Sequence, residues 1–151
     1  AVQTTYVGNL FLVRWDVPSQ ADCEAVREAF KARPARERVF HVGVLPAEMG
    51  DLDTMQLRRL VETTQDLLPF CAHVVMAVEA RGARGTLLRR AISDVVLASS
   101  RNFRLSFVNS LDRALVWAPA SLPEVADLRP AFARAGCELP PTLDLADQAA
   151  A

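Results

Sequence analysis

Blocks of apolar and polar residues alternate along this chain, and their spacing predicts alternating strands and helices. Runs rich in Val, Leu, Phe and Trp predict four strands, at 9–17, 39–45, 73–80 and 103–108. Each of the first three strands is followed by apolar residues spaced three and four apart, which is typical of an amphipathic helix. Two more helices are predicted after the last strand, at 111–118 and 122–136. The predicted order is therefore β-α-β-α-β-α-β-α-α.

This order predicts the fold class. Strands that alternate with helices pair in parallel, through right-handed crossovers that lay the helices against the sheet. Residues 1–7 can add an edge strand, antiparallel to the strand at 9–17. We therefore predict an α/β fold with a mixed, mostly parallel sheet of four to five strands, flanked by helices and extended by a C-terminal helix. Because no long linker is visible, residues 1–137 are interpreted as a single domain and residues 138–151 as a tail.

Polar residues mark the predicted helix starts, because their side chains can accept bonds from the first backbone N–H groups. Ser19 with Asp22 resembles a capping box. Asp53 begins the second helix, directly after a strand that is apolar enough to be covered on both faces. The third helix is predicted to follow a glycine-bearing turn at 81–85, with Thr86 as its cap.

Composition and charge narrow the classes of function. The 151 residues are 51% hydrophobic and 23% charged, as in an ordinary soluble domain with a sizeable core. The net charge of −1 provides no strong field for nucleic acid or for an acidic membrane surface. Neither nucleic acid nor membrane is therefore predicted as a partner.

The cysteines and histidines predict no disulfide framework and no metal site. Cys23, Cys71 and Cys137 are odd in number and far apart, and no CxxC pair exists. We interpret the thiols as reduced and structural, which favours a cytoplasmic location. No apolar run approaches the roughly 18 residues of a membrane span, and no signal peptide is visible. No cofactor is predicted.

Three segments carry a family resemblance. In "VRWDVPSQADCEAVREAF" (13–30) a strand ends in Asp and leads into a capped helix. In "VGVLPAEMGDLDTMQLRRLVETTQDL" (42–67) a buried strand, a loop and a helix opening on Asp53 follow one another. In "FRLSFVNSLDRALVWA" (103–118) a strand runs into Ser-Leu-Asp-x-Ala-Leu. Over about residues 6 to 118, the chain resembles the STAS domain, the fold of bacterial anti-sigma-factor antagonists (SpoIIAA-like domains) and of the cytoplasmic tails of sulfate transporters.

The chain departs from the STAS pattern at the second helix. Where the family has Asp-Ser-Ser-Gly-Leu, Asp53 aligns with the Asp and Thr54 with the first serine. Met55 stands at the serine that phospho-switched members phosphorylate, and Gln56 replaces the glycine. Since methionine cannot take a phosphate, the resemblance implies that the serine switch is missing here or displaced to Thr54.

The resemblance implies a regulatory module rather than an enzyme. We expect residues 50–59, defined here as the Asp53 corner, to bind a kinase-like or sensor protein. The partner-binding residues would be Asp53, Thr54, Met55, Gln56, Arg58 and Arg59, with Thr54 as a phosphorylation site. A homodimer stays open. The alternative interpretation for Asp53 is an ordinary helix cap, and for the arginine pair a solvated helix face.

Two other classes of function remain as alternatives. Some STAS-related domains bind nucleotides or lipids, so a small ligand beneath the corner, entered past Met49 and Met55, is the second hypothesis. The third is an enzyme, which is disfavoured because no catalytic side chains cluster along the sequence. The segment "RGARGT" (81–86) lacks known phosphate-loop patterns and is interpreted as a connection, and His41 and His73 as structural histidines.

Overall fold

A mixed sheet of five strands with helices on both faces makes up the protein. The computed structural model describes residues 1–33, 38–98, 105–115 and 125–137. The strands are β1 (Gln3–Val7), β2 (Leu10–Arg14), β3 (Val39–Leu45), β4 (Cys71–Val78) and β5 (Ser106–Val108). The helices are α1 (Gln20–Lys31), α2 (Thr54–Leu67), α3 (Gly82–Ala98), α4 (Leu111–Leu115) and α5 (Val125–Arg134), and one 3-10 turn (Leu68–Phe70) joins α2 to β4.

The strands lie in the sheet in the order in which they occur in the sequence. β1 pairs antiparallel with β2 through a tight connection at Gly8, whose φ of 57° favours glycine. β2, β3, β4 and β5 pair in parallel. The predicted fold class is therefore confirmed, including the antiparallel edge strand.

The predicted elements match the structure closely where their residues are described. β3 has the predicted bounds, 39–45, and the other strands are each found within a few residues of their predicted positions. Residues 103–104 of the predicted fourth strand, and 116–124 around the last two helices, lie outside the described residues. So does the predicted tail at 138–151, and the single-domain interpretation stays a prediction.

The first face of the sheet is covered by α1, α2 and α3. Phe11 and Val13 of β2, and Trp15 directly after it, point to this side. From the helices, the buried residues are Cys23, Val26 and Phe30 of α1, Leu57, Leu60, Val61 and Leu67 of α2, and Ile92 of α3. Right-handed crossovers that all step in the same direction along a sheet put their helices on the same side, which explains this layer.

The second face is covered by the chain that follows β5. Leu10 and Leu12 of β2 alternate with the residues of the first face and belong to a separate apolar cluster. The helices contribute Leu111, Ala114 and Leu115 of α4 and Leu128, Ala131 and Phe132 of α5. α5 continues through Pro130 without a break. All seven residues of β3 are buried between the two layers.

The start of α3 corrects a prediction. A turn at 81–85 with Thr86 as the helix cap is wrong, because α3 begins at Gly82, whose φ of 66° lies in the left-handed region that favours glycine. The Thr86 hydroxyl donates to the Gly82 carbonyl at 3.3 Å from inside the helix. Gly85 is buried, and a Cβ there would collide with the Ala80 carbonyl. The second glycine therefore serves close packing of α3 on the end of β4, not a turn.

His41 is a neutral residue of the core. Its side chain is fully buried and stacks on the Phe11 ring at 5.4 Å between centroids. Its Nδ1 lies 3.1 Å from the Phe11 carbonyl oxygen, which can only accept, so the proton is on Nδ1. Nε2 has no hydrogen-bond partner among the described residues. Protonation would bury a charge, and desolvation accordingly lowers the pKa of His41 to about 4.

This pKa makes stability depend on pH. In the unfolded chain His41 takes up a proton near pH 6.5, whereas in the folded protein it does so only near pH 4. The contribution of neutral His41 to stability is therefore fully present above pH 6.5 and is lost as the pH falls towards 4. From about pH 7 to about pH 4.5, we expect this group to remove about 2 kcal/mol from the free energy of unfolding. Urea unfolding of the wild type and of His41→Phe, which keeps the ring but cannot titrate, measures the difference. Parallel pH profiles would contradict the assignment.

Candidate functional site

The Asp53 corner lies at the edge of the sheet where the parallel strands end. β3 finishes at Leu45, and the chain passes through a loop before α2 begins at Thr54. Met49 is buried in the first-face core and Leu52 packs against that core. The apolar side chains of the loop therefore point inwards, while Gly50, Asp51 and Asp53 are exposed.

A complete capping box fixes the beginning of α2. The backbone N–H of Gln56 donates to Asp53 Oδ1 at 2.8 Å. The backbone N–H of Asp53 donates in return to Gln56 Oε1, also at 2.8 Å. Gln56 thus closes the second half of the box, which satisfies two backbone donors reciprocally.

Two further contacts hold the loop in one conformation. The Met49 backbone N–H donates to the Pro46 carbonyl at 3.0 Å. The Arg84 guanidinium, from the first turn of α3, donates through Nη2 to the Met49 carbonyl at 2.7 Å. The corner is therefore tied both to its own helix and to the neighbouring one, and its surface is preorganised.

The residues that the corner presents to solvent are a mixture of apolar, polar and basic groups. Asp53, Thr54 and Arg58 are exposed, and 53% of Met55 is accessible. Gln56 is half-buried because it serves the capping box. A methionine with this exposure at a helix start is not part of the core, although single exposed apolar residues occur on ordinary surfaces.

The two arginines of the corner have different surroundings. Arg58 lines a groove of about 470 Å³ between α2 and α3, together with Thr54, Glu62 and Asp94. Arg59 is half-buried, and its carbonyl accepts from the Thr63 hydroxyl at 2.7 Å. Its carbonyl also lies 3.8 Å from the Cys23 thiol of α1. The structure thus groups Asp53, Thr54, Met55 and Arg58 at one end of α2, while the Arg59 backbone carbonyl contacts the Cys23 thiol of α1.

An apolar notch lies beneath the loop. Its volume is about 280 Å³, and its lining includes Met49, Leu52, Leu57, Leu88 and Ala91. Met55 does not line it. Leu87, at the rim of the same notch, is 64% exposed. The sequence did not identify Leu87 as a site residue. Leu87 directly precedes Leu88, which belongs to the apolar stripe of α3, but Leu87 itself lies outside that stripe.

A second cleft lies at the ends of β2, β3 and β4, and it contains titratable groups. It measures about 350 Å³, and Arg14, Glu79 and Cys137 line it. Desolvation raises the pKa of the Glu79 carboxyl, with the nearby Arg14 charge acting against it. Burial raises the pKa of the Cys137 thiol to about 11. The Cys137 thiol is protonated near neutral pH, which disfavours nucleophilic chemistry in this cleft.

Metal-ligating residues do not come together in the described part of the chain. No group of three or more His, Cys, Asp or Glu side chains there is arranged to hold a metal ion. The cysteines at 23, 71 and 137 are all free and buried. Within the described ranges, no helix has the length and apolar composition needed to cross a bilayer.

Comparison with known proteins returned no matching family model, no matching curated protein and no matching solved structure.

The capping box predicts a specific cost for removing Asp53. Asp53→Ala leaves the Gln56 backbone N–H, in the first turn of α2, without its acceptor, and we expect it to lower the free energy of unfolding by about 1 kcal/mol. Asp53→Ser should recover most of that loss. Asp51→Ala, an exposed carboxylate two positions away, is the matched control and should change stability by less than about 0.5 kcal/mol. Urea unfolding measures all three, and an unchanged Asp53→Ala would show that α2 does not depend on this cap.

Proposed function

We propose that this protein is a non-enzymatic, STAS-like regulatory domain that binds a protein partner through the Asp53 corner. The observation that carries the proposal is Met55, a large apolar side chain 53% exposed at the first turn of a capped helix. A flexible apolar side chain on a rigid backbone corner, surrounded by polar groups, has the composition of an interaction site, because methionine is enriched at interfaces and adapts to the shape of a partner's pocket.

The rigidity of the corner supports this proposal. Its backbone is held by the capping box and by the Arg84 contact to Met49, so little ordering is needed when a partner binds. Arg58 adds a positive charge close to Met55 on the same helix end. A partner surface with an apolar pocket and an acidic rim fits these groups, and the resemblance to STAS domains favours a kinase-like or sensor protein as the class of partner.

Thr54 is the residue through which such an interaction would be regulated. Its hydroxyl stands exposed at the first position of α2. A phosphate there would add nearly two negative charges beside Asp53 and would be tolerated by the positive end of the helix dipole. It would repel an acidic partner while leaving the helix in place.

Site-specific crosslinking tests partner binding at the corner. With a photoreactive amino acid at position 55, we expect one stoichiometric protein to be crosslinked in the native cell extract. Met55→Lys should weaken the affinity of the isolated partner by about tenfold or more, as for loss of a central interface contact. Leu97→Lys makes the same change at an 81% exposed position near the far end of α3 and should have no effect. Equal effects of the two substitutions would contradict the proposal.

A small-ligand carrier is the second candidate, and the apolar notch favours it. Its volume of about 280 Å³ lies at the lower limit of small-molecule pockets. A ligand there would add mass to the freshly purified protein in native mass spectrometry, and Ala91→Phe, which points a ring into the notch, should remove it. A spectrum of the bare chain alone would rule against this candidate and leave the partner proposal intact.

A further inference from the structure

The chain changes from one face of the sheet to the other between β4 and β5. β4 leads into α3, which packs on the first face through Ile92. β5, its parallel neighbour, leads into α4, which packs on the second face through Leu111 and Leu115. In open α/β sheets, adjacent strands whose connections diverge in this way leave a crevice at their carboxyl ends, and ligands bind there.

An open cleft occupies this position in the protein. Its volume is about 520 Å³, within the range of sites for small molecules. The lining residues come from both diverging connections: Ala80, Arg81, Gly82, Thr86 and Arg89 on one side, and Asn109, Ser110 and Arg113 on the other. We define Arg81, Arg89 and Arg113 with these neighbours as the arginine cleft.

The charges in the arginine cleft are of one sign. None of the described residues that line it is acidic, and Arg81, Arg89 and Arg113 form no ion pair within the described part of the chain. Glu79, one residue before Ala80, lines the neighbouring cleft with Arg14 instead. α3 begins here at Gly82, so the positive end of its dipole adds to the arginine charges. Three unpaired guanidinium groups around one cavity favour an anion.

Arg89 is positioned by neighbours that leave its charge available. Its Nη1 donates to Asn109 Oδ1 at 3.3 Å, and its Nη2 donates to the Thr86 hydroxyl at 3.3 Å. A guanidinium carries five N–H donors, so others remain for a ligand. The Asn109 contact also connects the two sides of the cleft, because Asn109 follows β5 while Arg89 belongs to α3.

We propose that the arginine cleft binds a small molecule bearing a phosphate group. Guanidinium groups bind phosphate through paired, charge-assisted hydrogen bonds, and the Thr86 and Ser110 hydroxyls and the Asn109 amide suit the hydroxyl groups of a sugar. No aromatic side chain is found among the described lining residues to stack on a base. The chemistry therefore fits a sugar phosphate. The site is independent of the Asp53 corner.

Titration with ribose 5-phosphate, followed by amide chemical shifts of the isotope-labelled protein at low salt, tests the proposal. We expect saturable shifts confined to residues 80–89 and 109–113, which weaken as salt is raised. Ribose, which lacks the phosphate, should cause none. Arg81→Gln and Arg113→Gln change exposed side chains, so the fold is retained. Each substitution should raise the Kd about tenfold, because one charge-assisted hydrogen bond to the ligand is lost.

Arg90→Gln is the matched control. Arg90 is exposed on the same helix but does not line the cleft, so its substitution removes the same charge and should leave the Kd within about twofold. An absence of saturable shifts, an equal response to ribose, or an equal loss of affinity in Arg90→Gln would each overturn the proposal. The Asp53 corner is unchanged in these variants. A negative result for the arginine cleft would therefore leave the proposal of partner binding at the corner unaffected.

Discussion

The burial of β3 on both faces determines how the remaining elements are arranged. Every residue of Val39–Leu45 is buried, so the sheet needs a layer of helices on each side. The crossovers after β2, β3 and β4 all place their helices on the first face. The second face can then be covered only by chain outside these crossovers, and α4 and α5 provide that cover.

This constraint also places the surfaces at which we propose binding. The parallel strands β2–β5 all end at the same edge of the sheet, and the Asp53 corner and the arginine cleft both lie along it. The corner is the connection from the most buried strand to α2, and Met49 anchors it in the core while Met55 stays outside. The arginine cleft lies where the connection after β4 leads to the first face of the sheet and the connection after β5 leads to the second. Arg84, which reaches back from α3 to the Met49 carbonyl, lies between the two sites.

The sequence was sufficient for elements whose signals are local. The apolar run 39–45 and the cap at Asp53 were predicted at their observed positions, because each depends on residues within one turn or one strand. The start of α3 was not predicted correctly. Gly85 is required by close packing against Ala80 and Gly82 by its positive φ, and in a sequence both resemble residues of a turn. The arginine cleft was missed for a different reason. Arg81 and Arg113 are far apart in the chain, and only the change of face between β4 and β5 brings them together.

After β5 the chain crosses to the second face of the sheet, where α4 packs. Nuclear Overhauser contacts between methyl groups test it most directly, because the two faces have separate sets of methyl-bearing residues. We expect the Leu115 methyls to contact those of Leu12 or Val75, which belong to the second-face cluster. Contacts from Leu115 to Leu60 or Val26 of the first-face cluster would contradict it.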